Sequence, residues 1–453
     1  MKPRQIIETV LKHSQADEAI VIIGDHDRTN IRWANSGLTT NGHSQHGYIA
    51  VISIIGKRAG THYASLNSSV DLEGLARLSE EAARQSPISP DYMPLVKGGG
   101  VWPSTGATRQ PALDGLAGLT RGLELVFKKA QEQKLAVFGY ADLSHTGHYL
   151  ATSAGVRKYH RQTEGQFELN AKTLDLAKSV WTGAPLRNFS QIDPLSLFAE
   201  LETKLAWSET EIHLPAGKYE VILEPSAVAD MLLFAYWESS ARQAEDGHSA
   251  YSRPGGTVIG QPLYRPDISV FSDPTYKNMG TVPFDITYAT NEVESIFDNG
   301  LSLNKTFWIK DGRQQNLIAT RYLANQKKYP KPTPFIPNLL FVNQGDSLEE
   351  MVKSTKNGLL VTCFWYMREV DPQNLLVTGL TRDGLFLIKN GQVAGAVNNF
   401  RFNMSPLSML KQVAQIGQSQ STLAREFGDY FSLTVMPPLR VKDFNMSSVS
   451  QAK

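Results

Sequence analysis

Chemistry on a polypeptide needs side chains that ligate, move protons or attack, held at workable spacing, and this sequence offers few such sets. Its ten histidines form no His-Glu-x-x-His pattern. His43 with His46, and His145 with His148, are His-x-x-His pairs. Both pairs fall in stretches expected to be extended or turning, where i and i+3 point to opposite faces and do not share one ion. Asp25-His26-Asp27 lies between two expected strands and reads as a polar turn. No Gly-x-Ser-x-Gly elbow occurs, and Ser302 with Lys305 matches Ser-x-x-Lys without the motifs that accompany it in serine acyl-enzymes. Cys363, the single cysteine, sits in an apolar run at 359–367 and reads as a small buried hydrophobe rather than a nucleophile. Gly56-Lys57-Arg58-Ala59-Gly60 lacks the Gly-Lys-Ser/Thr end of a phosphate loop. The most suggestive segment is an apolar helix running into Tyr236, Trp237, Glu238 and Arg242, then into a glycine-rich loop at 247–261. Such an arrangement places functional groups at a cavity wall. The plainer reading makes Trp237 a core residue and Glu238 with Arg242 an ordinary i, i+4 pair.

The elements that would position these groups follow from periodicity. Ile6, Ile7, Val10 and Leu11 predict an opening helix with Pro3 in its first turn. Strands are expected at 18–23, 30–35, 47–55 and 61–66, and a helix at 71–85, stopped by Pro87 and Pro90. The stretch 87–111, with three consecutive glycines at 98–100, reads as a linker or surface excursion. Further helices are expected at 113–133 and at 194–207, the latter capped by Asp193. Between them, 136–174 reads as a run of strands. The second half opens with a strand at 218–223 and a helix from Pro225 to about Ala241. It then turns largely to strands from 281 to 397, with hairpin signals at Asp311-Gly312 and Asn390-Gly391. Four prolines require 329–337 to be extended. Helices are expected near 347–355 and 405–416. The fold class is α+β in two domains: an N-terminal α+β domain over 1–210, and a strand-rich C-terminal domain with a few helices over 211–453.

The chain has 453 residues, 41% hydrophobic and 20% charged, which excludes collagenous, disordered and disulfide-stapled classes. Lysine plus arginine, 45, nearly equals aspartate plus glutamate, 44. A surface so balanced has no excess charge for neutralising phosphates, so direct nucleic-acid binding is not expected. One cysteine cannot form an intrachain disulfide, and no apolar stretch approaches the ~20 residues of a membrane span. The expectation is a soluble cytoplasmic protein.

Several short segments, in order, carry a wider likeness. They are Asp17-Glu18-Ala19 through Trp33 with Ser36-Gly37-Leu38, the strand–glycine–strand unit at 47–66, the helix at 72–86, and the stretch 218–233. Gly358-Leu359-Leu360-Val361-Thr362 and the unit from Asp383 to Gln392 follow, leading through 393–402 into 405–410. In order and spacing the chain resembles the TldD/PmbA family along nearly its full length, and within it the PmbA (TldE) branch. The resemblance implies a heterodimer enclosing a chamber, with zinc held by a His-Glu-x-x-x-His helix and a later cysteine of the TldD-like partner. No histidine occurs between 214 and 247 here, so no register supplies either imidazole. With Trp237-Glu238 set on His-Glu, the second histidine position is Arg242. Indole does not ligate zinc and guanidinium repels it. Cys363 is also far from the C-terminal position of the family's ligand cysteine.

The resemblance therefore implies no catalytic residue, no metal ligand and no cofactor in this chain, with zinc expected in the partner. It implies a non-catalytic subunit of a metallopeptidase for unfolded or leader peptides. Tyr236, Trp237, Glu238 and Arg242 are the candidates for the chamber wall. Two rivals stand beside this reading: a homodimeric peptide-binding scaffold, and an autonomous hydrolase using His248 or the histidines of 141–148. Direct modulation of a topoisomerase is disfavoured by the charge balance.

Overall fold

Alternating isoleucine and valine residues fix the first sheet. The computed structural model describes residues 2–66, 70–103 and 112–451. In it β1 (Glu18–Ala34), β2 (Gly37–Ile55), β3 (Arg58–Ser65), β4 (Leu135–Thr152), β5 (Arg157–Thr173) and β6 (Ser179–Pro185) form one six-stranded sheet, ordered β3-β2-β1-β4-β5-β6. Every pairing in it is antiparallel. The turn expected at Asp25-His26-Asp27 does not exist, because β1 runs unbroken through it. Asp25 lies opposite Gly47 on one side and Gly147 on the other. Two ladders of backbone hydrogen bonds override the turn preference of three polar side chains. The reversal comes later, where Asn35 and Ser36 adopt left-handed backbone angles, and β2 accordingly starts at Gly37, well before residue 47.

On β1, β2, β4 and β5, side chains at odd positions face helices. Helices α1 (Pro3–His13) and α2 (Leu72–Gln85) set Ile7, Val10 and Leu75 on Val21, Ile23, Ile49 and Val51. The Asp71 side chain caps α2 by accepting from Gly74 N at 2.9 Å, satisfying one of the first-turn donors. Farther along the same face, α3 (Leu116–Glu132) and α4 (Pro194–Trp207) cover Ile31, Trp33, Leu143 and Phe167. The even-numbered face carries Ile20, Ile22, Ile52 and Leu150, packed on Phe284, Ile296 and Phe297 from the second half of the chain. Of the proline- and glycine-rich excursion at 87–111, positions 104–111 lie outside the described residues. Within the rest, Leu95 is buried, so the segment is partly docked rather than free.

The second half is built on a ten-stranded sheet that starts with β7 (Glu211–Ile212) and β8 (Gly217–Leu223). A second six-stranded sheet includes Val270–Ser272, Thr306–Lys310 and Leu339–Leu340. Helix α5 (Pro225–Trp237) is buried nearly all round, as expected of a helix with apolar residues on every face. Asp230 is a fully buried exception, accepting from Glu426 N at 3.0 Å. Four short helices follow: α6 (Ala241–Glu245), α7 (Arg321–Lys327), α8 (Leu348–Lys353) and α9 (Pro406–Lys411). Two sequence expectations shift here. The long helix ends at Trp237 rather than near Ala241, and the helix expected over 405–416 stops at Lys411, after which Val413–Ile416 pairs with Leu439–Val449. Asp311-Gly312 and Asn390-Gly391 take the positive φ values of tight hairpin turns. Cys363 falls between two strands, Asn357–Val361 and Phe364–Asp371, and is fully buried.

One hydrophobic cluster joins α3, α4 and the first sheet to Ile222, Leu360, Phe386 and Ile388, so apolar packing crosses position 210 without interruption. The part-buried pair Lys204–Glu224, 3.1 Å apart, ties α4 to the cap of α5. The architecture is α+β. Among the described residues no helix is long and apolar enough to cross a membrane.

Candidate functional site

The four residues singled out at the end of α5 occupy different surroundings. Tyr236 is buried, its ring stacked on Phe335 with centroids 5.0 Å apart. Its hydroxyl donates to Ile336 O at 3.0 Å and accepts from Ile336 N at 2.8 Å. Trp237 is half-buried against Phe427 and Phe431. Glu238 caps α5, and burial raises its carboxyl above the usual range, with Glu369 and Glu292 adding to the shift. Arg242 stands one element later, on α6, with its guanidinium 6.0 Å from the Tyr322 ring. Ser239 and Ser240 break the helix between them, Ser240 bridging to Ile318. Glu238 and Arg242 therefore form no i, i+4 pair, since that neighbourhood exists only on a continuous helix.

Arg242 opens onto a cleft of about 750 Å³ between the two halves of the chain. Along β3, Gly60 faces α2, so the intervening Ala59, Thr61 and Tyr63 face the cleft. Opposite stand Tyr288 and Glu292. Tyr48 and Tyr288 share a hydrogen bond between their hydroxyls, and Tyr63 donates to Tyr288 O at 3.3 Å. Burial, together with Tyr48, pushes the Tyr288 phenol far above its ordinary range, so it stays neutral. Gln243 holds Glu292 from α6. Tyr63 and Ile88 remain 52% and 58% exposed, leaving apolar contact surface on the wall. Strand β3 is the edge of its sheet; Ile88 bridges it at Arg58, and beyond that residue its alternate backbone groups face away from β2, the geometry that accepts an extended peptide.

A second cavity, about 280 Å³, lies where the even face of the first sheet meets the loop around Asp429. Register alone assembles it: His26 pairs with His46 across β1 and β2, and Arg28 lies opposite Ser144, which lies opposite Glu164. The two imidazoles stack with centroids 4.9 Å apart, and Thr146 Oγ1 lies 3.0 Å from His26 Nδ1. Burial lowers the His26 pKa, with His46 adding to the shift. Burial likewise takes nearby His148 down to about 4, assisted by His160 and His26. Asp142 is raised by burial, although Arg28 binds it at 2.9 Å. His43 and His145 point to the other face, where they bond Thr29 and Thr163 at 2.9 and 2.8 Å. Neither His-x-x-His pair converges on one point. Among the described residues, no three His, Cys, Asp or Glu side chains are grouped to hold a metal ion.

Sequence reading missed Tyr63, Ile88, Tyr288 and Glu292 at the cleft, and His26, Asp142 and Glu164 at the polar cavity. No local spacing could have revealed them, because each set is joined by strand register and by docking of the two halves.

The family model described as the PmbA/TldA metallopeptidase C-terminal domain matches residues 216–448, more than half of the chain. The chain belongs to the TldD/PmbA family. No curated protein matches it in sequence. Solved structures of similar fold include TldE from Thermococcus kodakarensis, at TM-score 0.79 and 14% identity, covering 98% of this chain and 99% of that one. A protein from Thermotoga maritima, described as a candidate modulator of a DNA gyrase, has TM-score 0.78 at 14% identity and covers 98% and 100%. A protein of like description from Bacteroides thetaiotaomicron has TM-score 0.78 at 13% identity and covers 98% and 99%. At such identities the likeness concerns the fold. Within this TldD/PmbA chain, the matched domain holds α5 and its neighbours, and the first sheet supplies the opposite wall of the cleft.

Proposed function

We propose that this TldD/PmbA chain is a non-catalytic, TldE-like subunit of a heterodimeric metallopeptidase in the cytoplasm. Zinc and the catalytic residues belong to a TldD-like partner, and this chain completes the chamber and holds unfolded or leader peptides. The observation that carries the reading is the end of α5. At the positions set on the family's zinc motif, an indole packs on Phe427 and a guanidinium lies by Tyr322, on two separate helices. Such donors do not fit zinc, which takes imidazole, thiolate or carboxylate. What supports peptide binding is the cleft itself: an edge strand on one wall and exposed Tyr63 and Ile88 beside it.

The test is co-expression with the TldD-like protein of the same organism, purified through a tag on this chain. The expected product is a 1:1 complex that contains zinc and cleaves an unstructured peptide, with both properties lost when the partner's histidines are replaced. Absence of a complex, or zinc and activity in this chain alone, would sink the reading.

A further inference from the structure

A groove of about 420 Å³ lies on the second half of the chain, between strand Thr306–Lys310 and the proline-rich segment at 329–333. Lys305, Lys310 and Lys331 line it together with Ile259, Phe307 and Leu317, and no aspartate or glutamate does. All three lysines are exposed, and none has an ion-pair partner among the described residues. Two of the ammonium groups are placed by aromatic rings instead. Lys305 Nζ lies 4.1 Å from the Phe271 centroid and 5.1 Å from that of Phe307, while Lys310 Nζ lies 5.5 Å from Phe307. This placement also disposes of the Ser-x-x-Lys pattern, since Lys305 is directed to the rings.

Apart from the exposed Gln315 amide, the neutral polar side chains of the groove are already engaged. Asn316 Nδ2 donates to Phe307 O at 2.8 Å, Thr306 Oγ1 to Asn304 O at 2.9 Å, and Tyr329 hydroxyl to Glu245 at 2.5 Å. What the groove offers a partner is three uncompensated positive charges around an apolar floor. An occupant bearing carboxylates compensates charges that no acidic side chain of the lining offsets. We propose that this groove docks an acidic, extended peptide segment, with carboxylates on Lys305, Lys310 and Lys331 and an apolar side chain against Phe307 and Leu317. A nucleic-acid strand fits less well. Phe307 is already flanked by two ammonium groups, so it is a poor surface for base stacking, and the chain as a whole carries a net charge of only +1.

The purified chain alone suffices for the test, so its outcome is separate from that of the metallopeptidase reading. Fluorescence anisotropy would follow a labelled glutamate-rich peptide carrying two leucines, at low and high salt. The expected result is salt-sensitive binding, weakened about tenfold or more by combined Lys305→Gln, Lys310→Gln and Lys331→Gln. Unchanged thermal melting would show that the variant is folded, and single substitutions serve if it is not. The proposal is overturned if the variant binds as well as the parent, if a glutamine-for-glutamate peptide binds equally, or if single-stranded DNA of equal charge displaces the peptide at lower concentration.

Discussion

The indole of Trp237 meets the ring of Phe427 edge-on, with centroids 4.9 Å apart and planes at 76°. The favoured electrostatics of that geometry add to the area it buries. On the proposed reading, the contact fills the place of the first imidazole of the family's zinc motif. Trp237→Ala is expected to destabilise the chain by about 2–3 kcal/mol, because the ring is only half-buried. Chemical denaturation measures this; a loss below ~0.5 kcal/mol would mean the indole is held for another purpose.

Restoring the family's histidines on paper would not restore the site. Trp237→His with Arg242→His places two imidazoles on different helices, separated by the break at Ser239 and Ser240. Zinc content after dialysis is expected to stay well below one equivalent per chain. Stoichiometric zinc in the double variant would show that the helix break yields easily.

Tyr236 is expected to act through structure alone. Tyr236→Phe leaves the N–H of Ile336 without its partner inside the core, while Ile336 O keeps the Asn338 N–H at 2.8 Å. That should cost about 1–3 kcal/mol, read as a lower urea midpoint at unchanged slope. A variant as stable as the parent would imply that water reaches this site.

Close backbone approach makes Gly60 irreplaceable. A methyl group there would stand 2.0 Å from Ala83 N and 2.6 Å from Ser79 O, wedging α2 away from β3. Gly60→Ala is expected to lose about 3 kcal/mol and to lower the melting temperature accordingly. Because β3 is also a wall of the cleft, peptide binding should weaken in the same variant.

The pH dependence of stability should bear the mark of Asp298. Burial raises its carboxyl to about 6, although Arg321 N donates to it at 2.8 Å. Between the unfolded value near ~4 and the folded value, the folded chain binds more protons than the unfolded one. Stability from this group is therefore greatest at low pH and falls as pH rises through that window, by about 3 kcal/mol in all. Asp298→Asn removes the titration, so its melting temperature should gain on the parent between pH 4 and 6 and keep that gain above. A constant difference across this range would refute the assignment.

Where neighbouring residues decide a structure, the sequence sufficed. Apolar spacing located α1, α2, α3 and α4, Asp193 capped its helix, and the Asp-Gly and Asn-Gly pairs made hairpin turns, because these choices depend on contacts within a few residues. The lack of any histidine between 214 and 247 was equally plain without a structure. Other features needed the third dimension. Asp25-His26-Asp27 became strand only because β2 and β4 flank it, and α5 stopped short because Ser240 pairs with Ile318. His26 met His46 through register, and Tyr63 met Tyr288 through docking of the two halves. Such encounters join residues tens to hundreds of positions apart. They are set by how sheets align and pack, which no local spacing in the chain records.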